Sequence, residues 1–191
     1  MTDAPSERAR RPGTLYLVGT PIGNLSDITL RAIETLKRVP RVAAEDTRRT
    51  RALLSHLGLG GKKLHSMNAN TREHELTRLL DFLLEGDDMA LVTDAGMPAI
   101  SDPGAELVSA AAARDVAVVC IPGPSAVTTA AALSGLVSGP FLFLGFLPRK
   151  GKKRAQALAR IEASSEPVIL FESPLRTART LADLAANLPN R

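Results

Sequence analysis

Met89-Ala90-Leu91-Val92-Thr93, running straight into Asp94-Ala95-Gly96-Met97-Pro98-Ala99-Ile100-Ser101-Asp102-Pro103-Gly104, is the stretch on which the fold turns. Four apolar residues in a row are too short a run for a helix, and they show no polar alternation. They read as a strand buried on both faces. The segment after Thr93 carries paired Gly, Pro and Asp residues, the composition of a loop. Pro103–Arg114 is then an Ala-rich helix, with Ser101 or Asp102 as its cap and Pro103 at its first position. Val116–Ile121 is a second apolar strand.

The same unit repeats outward in both directions. Thr14–Gly19 reads as a strand, and Asp27–Arg38 as a helix capped by Ser26 or Asp27. Arg41–Ala44 is a short strand, and Thr47–Leu57 a helix stopped by Gly58. Lys63–Ser66 is a short strand, and Arg72–Leu84 a helix ended by Gly86. This alternation predicts an α/β fold, a mainly parallel sheet covered by helices, over an N-terminal domain 14–121. Ligands of such sheets bind at the carboxyl ends of the strands. Three Gly/Pro-rich segments, Thr20–Asn24, Asp94–Gly104 and Pro122–Ser125, follow strands and so fall at that edge.

Pro122, Gly123, Pro124, Gly135, Gly139 and Pro140 punctuate a boundary around a small-residue helix, Ser125–Leu133. Beyond it come a strand Phe141–Phe146, a basic helix Gly151–Ala163, a strand Val168–Phe171 and a helix Leu175–Leu188. Residues 122–191 are thus expected to be a linker and an incomplete second α/β domain. Residues 1–13 are polar and Arg-rich, without the apolar segment that would make Arg10-Arg11 a targeting signal, and read as a disordered tail.

Composition narrows the function. The chain has 191 residues, 24 basic and 20 acidic, a net charge of +4. Aromatic residues are only 3% of it, so an RNA partner would be held by phosphate contacts rather than by base stacking. Cys120 is the lone cysteine; it reads as a small core residue in a reducing compartment. No apolar run is long enough to span a membrane, and a cytoplasmic location is expected. His56, His65 and His74 lack metal-ligand spacing, so no metal is expected. Gly19–Asn24 is not a dinucleotide fingerprint. Gly145–Lys152 has one residue too many between its glycines for a phosphate loop, and Lys153 stands where a magnesium-binding hydroxyl should be.

Several clusters remain. Gly19–Asn24 allows close backbone approach to a ligand, or is an ordinary strand-to-helix turn. Asp94 or Asp102 suits hydrogen bonds from an amine or a ribose. In Glu45-Asp46-Thr47-Arg48-Arg49-Thr50-Arg51, Asp46 or Thr47 is a natural helix cap. Glu45 or Asp46 could also act as a base or orienting group, and Arg48, Arg49 and Arg51 could hold phosphates. Arg149, Lys150, Lys152, Lys153 and Arg154 form the densest basic run, a solvated face or a polyanion site. Glu172 and Arg176 either reach the cleft or cap the last helix.

Taken in order, Gly19–Ile28, Glu45–Thr50, Asp94–Gly104, Pro122–Ala126, Gly145–Pro148 and Glu172–Arg176 resemble the ribosomal RNA small subunit methyltransferase I family, within the tetrapyrrole methylase-like superfamily. The resemblance runs from about Gly13 to the end. It implies two α/β domains with S-adenosylmethionine between them, 2′-O-methylation of a cytidine in small-subunit ribosomal RNA, and a homodimer acting on that RNA or the 30S particle. It implies cofactor contacts at Pro21, Gly23, Asp94, Ala95, Gly96, Ile100, Ser125, Ala126 and Phe171 or Glu172. The Glu45–Thr50 segment and the 149–154 run would face RNA. The alternatives are a tetrapyrrole methyltransferase of the same superfamily and a non-catalytic RNA-binding fragment.

Overall fold

The computed structural model describes residues 11–188, in two compact units that divide between Ser125 and Ala126. The first holds five strands: β1 (Thr14–Val18), β2 (Arg41–Ala44), β3 (Lys63–Ser66), β4 (Met89–Val92) and β5 (Ala117–Ile121). All are parallel, in the order β3-β2-β4-β1-β5. Helices α1 (Leu30–Arg38), α2 (Thr47–His56), α3 (Glu73–Leu84) and α4 (Ala105–Ala112) follow β1 to β4 in turn. This is the α/β sheet covered by helices that the sequence predicts.

Two-residue periodicity in the strands sorts the core into two layers. Leu15, Ala43, Met89 and Leu91 pack with Leu79, Leu80 and Leu83 of α3 and with Leu107 and Ala111 of α4. Val18, Val42, Ala44, Ala90 and Val92 face the other way, onto Ala32 and Leu36 of α1 and Leu54 of α2. β4 is buried at every position, which is why it reads as an unbroken apolar run. Each large buried side chain contributes about 1.5–3 kcal/mol through burial.

The strand order decides where the loops meet. β4, β1 and β5 are neighbours, so the three Gly/Pro segments that follow them lie side by side. β2 lies on the other side of β4, which brings its Glu45–Asp46 end to the same edge. The connection leaving β1 runs to β2 and the one leaving β4 runs to β5, in opposite directions along the sheet. Crevices form where neighbouring connections diverge in this way.

Several expected boundaries shift. The first helix begins at Leu30, not Asp27: Thr29 caps it, its Oγ1 accepting from Ala32 N at 3.1 Å, and neither Ser26 nor Asp27 does so. Leu25–Asp27 is a separate 3-10 turn capped by Asn24. Likewise α4 starts at Ala105, and neither Ser101 nor Asp102 caps it. Its cap is Gly104 at φ +123°, where a Cβ would lie 2.6 Å from Leu91 Cδ2; close packing on β4 sets that helix start. Cys120 is exposed rather than in the core, because β5 is an edge strand with four of its five residues at least partly open. The tail expected over 1–13 falls mostly outside the described residues. Gly13, however, is buried, and its N–H donates to Leu83 O at 2.7 Å.

The second unit contains α5 (Ala126–Ser134), β6 (Leu142–Phe146), α6 (Gly151–Ala163), β7 (Val168–Phe171) and α7 (Pro174–Asn187). β6 and β7 pair in parallel, and Leu147, Ile161 and Leu188 form a small core. Among the described residues no helix is long and apolar enough to cross a membrane.

Candidate functional site

Thr20, at the end of β1, and Gly96, in the loop after β4, form an antiparallel bridge: Thr20 N donates to Gly96 O at 2.9 Å and Gly96 N to Thr20 O at 3.1 Å. The Thr20 hydroxyl, 2% exposed with its residue, donates to Thr93 O at 3.1 Å. Gly96 has φ +91°, a conformation glycine adopts freely, and its missing Cβ would sit 3.6 Å from Pro124 O. Gly19 lies so close to Gly123 that a Cβ on Gly19 would come within 2.8 Å of Gly123 Cα. The loops after β1, β4 and β5 are thus packed backbone on backbone.

Beside them a hollow of about 270 Å³ is lined by Thr20, Pro21, Leu25, Arg49, Leu53 and Asp94. Asp94 is held from two sides: its Oδ1 accepts from Asp46 N at 3.1 Å, and Arg49 Nε lies 3.4 Å from its Oδ2. Burial pushes the Asp94 carboxyl above its ordinary range, and the nearby Glu45 charge adds to this, partly offset by Arg49. Glu45 Oε2 accepts from the Thr93 hydroxyl at 2.6 Å and from Asp94 N at 3.3 Å, so it fixes the start of the Asp94–Gly104 loop. Asp46 caps α2 by accepting from Arg48 N at 2.8 Å and pairs with the Arg48 guanidinium at 3.0 Å. Those bonds hold its carboxyl down at about 2.

The other nominated residues distribute as follows. Gly23, Ala95 and Ile100 are exposed and Ser125 is half-buried, all in the first unit. Arg48, Arg49 and Arg51 are exposed on the first turns of α2. In the second unit Ala126 opens α5, and Phe171 packs edge-on against Phe143 and Phe146 at centroid distances of 4.9 and 5.6 Å. Glu172, only 6% exposed at its side chain, is turned inward. It pairs with Arg176 at 3.0 Å and accepts from the Thr180 hydroxyl at 2.8 Å. Arg149, Lys150, Lys152 and Lys153 are exposed. Arg154 leaves this group: it is 12% exposed, pairs with Asp183 at 2.7 Å and donates to Pro148 O at 3.0 Å. A four-residue helical spacing turns it inward while its neighbours face solvent.

Thr20, Thr93, Leu25 and Leu53 were not nominated from the sequence. For the two threonines the one signal was a hydroxyl ending each of two apolar strands, where a buried donor must find a backbone or carboxylate acceptor; the two leucines carried none.

The chain matches the family model for tetrapyrrole (corrin/porphyrin) methylases over residues 14–191. It belongs to that family. Among its relatives is a protein named ribosomal RNA small subunit methyltransferase I from Halalkalibacterium halodurans, 51% identical over 94% of this chain and 62% of the relative. A second, of the same name, comes from Micromonospora olivasterospora and is 49% identical over 94% of the chain and 57% of the relative. The chain therefore spans about three fifths of the length of these two tetrapyrrole methylase family members. A uroporphyrin III C-methyltransferase from Thermus thermophilus shares the fold, with a TM-score of 0.60 over 90% of this chain and 77% of that one, at 21% identity.

Proposed function

We propose that this protein transfers a methyl group from S-adenosylmethionine to the 2′-hydroxyl of a cytidine ribose in 16S ribosomal RNA, in the cytoplasm, as part of a homodimer acting on the RNA or the small subunit. The observation that carries the reading is the placement of Arg49. It borders a small-molecule hollow together with Pro21 and Asp94, and it shares an exposed helix turn with Arg48 and Arg51. A pocket edged by exposed cations suits a reaction between a small donor and a polyanion. The names of the relatives point the same way.

The residues present fit the donor. Tight backbone packing at Gly19, Gly96 and Gly123 leaves a shaped edge, and a half-buried Asp94 carboxylate offers an acceptor for an amine or a ribose. Pro21, Gly23, Asp94, Ala95, Gly96, Ile100 and Ser125 would hold it in the first unit, with Ala126, Phe171 and Glu172 assigned to it in the second by resemblance alone. When bound, the donor supplies an electrophilic methyl group; the protein's part is alignment and electrostatics.

A ribose hydroxyl needs a proton acceptor, or cations that lower the cost of losing its proton. Asp46 is poorly suited: at about 2, and bound to Arg48, it is a weak base. Glu45 remains the candidate acceptor, and its bonds to Thr93 and to Asp94 N tie it to the donor loop. Arg48, Arg49 and Arg51 would hold the RNA phosphates, as would Arg149, Lys150, Lys152 and Lys153.

The test is to incubate the protein with S-adenosylmethionine carrying a labelled methyl group and with 16S RNA, 30S particles or uroporphyrinogen in parallel. The reading expects label in RNA, in a dinucleotide resistant to alkaline hydrolysis. Label in the tetrapyrrole alone would replace it with the small-molecule alternative. Donor binding and RNA binding without any transfer would leave a binding module.

A further inference from the structure

The second unit carries a hollow of its own, of about 320 Å³, within the range of about 300–1,000 Å³ typical of small-ligand sites. Leu144, Phe146 and Pro148 line one side, and Gln156 and Arg160 of α6 line the other. None of these residues has a part in the donor site. Phe146 is the unusual member. The chain has five Phe and one Tyr, and of these Phe146 alone is exposed, at 53%. An exposed ring forgoes the burial that stabilises a fold, yet the backbone presents it. Gly145 holds φ +62°, and the pairing of β6 with β7 shifts register between Phe143 and Phe146. An irregularity of this kind re-aims the side chain beside it. Phe171 packs edge-on at a centroid distance of 5.6 Å and fixes the ring while half of its surface stays open.

The surroundings of the ring are cationic. Residues 148–160 include six basic side chains and no acidic one. Positions i, i+3 and i+7 of a helix share a face, so Lys153, Gln156 and Arg160 form one row along α6. The two cations stand about 10 Å apart along the axis, with the Gln156 amide between them. All three side chains are exposed, and among the described residues neither cation pairs with a carboxylate. A flat apolar face, an amide that both donates and accepts, and a cation on either side match one nucleotide of a single strand. We propose that this hollow stacks one base of single-stranded RNA on Phe146, with Gln156 at the base edge and Lys153 and Arg160 on the adjoining phosphates. The inference rests on the RNA reading above and adds to it a stacking contact that the scarcity of aromatic residues does not suggest. Every base has a π-face, so the site anchors the strand without choosing its sequence.

The experiment titrates the chain with two labelled strands, an RNA hexaadenylate and an abasic ribose-phosphate hexamer of the same charge, and follows binding by fluorescence anisotropy. The wild-type protein is expected to bind hexaadenylate about tenfold more tightly, the scale of one base stacked on an aromatic ring. Phe146→Ala is expected to remove that difference. Arg160→Gln is expected to weaken both strands and to lower the salt slope by about 0.7. The protein has no tryptophan, so the indole introduced by Phe146→Trp reports on the hollow directly. Its emission is expected to be quenched by hexaadenylate and not by the abasic strand, which keeps the proposal testable if Phe146→Ala fails to fold. Equal wild-type affinity for the two strands, a preference that survives Phe146→Ala, or hexaadenylate binding to Phe146→Trp without quenching overturns the proposal and leaves the RNA reading standing. Quenching by S-adenosylmethionine alone assigns the hollow to the donor and overturns it as well. Binding of neither strand overturns both readings together.

Discussion

Gly19→Ala tests the packing on which the donor site depends. In the native backbone the added Cβ would lie 2.8 Å from Gly123 Cα, 2.8 Å from Met97 Sδ and 2.9 Å from Gly123 N. Met97 can swing away, but the two Gly123 atoms are backbone. Ordinary contact begins near 3.4 Å, so β1 and the loop after β5 would have to part by about 0.6 Å. Overpacking of this kind costs about 1–3 kcal/mol. A displacement of about half an ångström between two loops that share one ligand is expected to weaken it by about tenfold, since about 1 Å can cost a hundredfold in a positioned site. Gly60→Ala is the control, because nothing lies within 4 Å of its Cβ position and it stands outside the donor site. Urea unfolding and calorimetric titration with S-adenosylmethionine give the two readouts. If Gly19→Ala matched the wild type in both while folding normally, the backbone-on-backbone convergence of these loops would be wrong.

Other outcomes follow from individual contacts. Leu91→Ala, at a position 1% exposed in the centre of β4, should cost about 2–5 kcal/mol of stability in the same urea assay. Because Arg49 pairs with Asp94 and lines the donor hollow, Arg49→Gln should weaken both donor and RNA binding. Arg51→Gln should lower RNA affinity alone and reduce its salt slope by about 0.7 per lost single-strand contact. Arg154→Ala should destabilise the second unit by about 1.5–3 kcal/mol through lost charged hydrogen bonds, whereas Lys152→Gln should change only RNA binding. The Asp46 carboxyl is held at about 2 against 3.8 when free. Its contribution is therefore fully present above about pH 4 and lost as pH falls towards 2. Asp46→Ala should flatten that acid limb in a stability-against-pH series.

Much of the architecture was readable from local pattern. An apolar run such as Met89–Val92 must be a strand covered on both faces, and a Gly/Pro segment behind it must be a loop at the sheet's carboxyl edge. The Asp46 cap and the Gly58 stop are also local chemistry, settled within a few residues. The details that moved were decided by contacts far along the chain. The start of α4 depends on Gly104 packing against Leu91, and the exposure of Cys120 depends on β5 having no strand beyond it. Neither partner can be named from the residues nearby.

The site divides in the same way. Residue order supplied the loops, the acids and the arginines, since side-chain chemistry and turn preferences belong to the chain itself. Strand order, which no local pattern encodes, set β4 between β2 and β1 and so brought Glu45 and Thr20 to Thr93 and Asp94, 48 or more residues further along the chain. Packing of α6 on α7 likewise separated Arg154 from the basic run it belongs to in sequence. Pairing across a sheet is chosen by the burial of whole faces at once, so which loops become neighbours is a property of the packed core rather than of any segment in it.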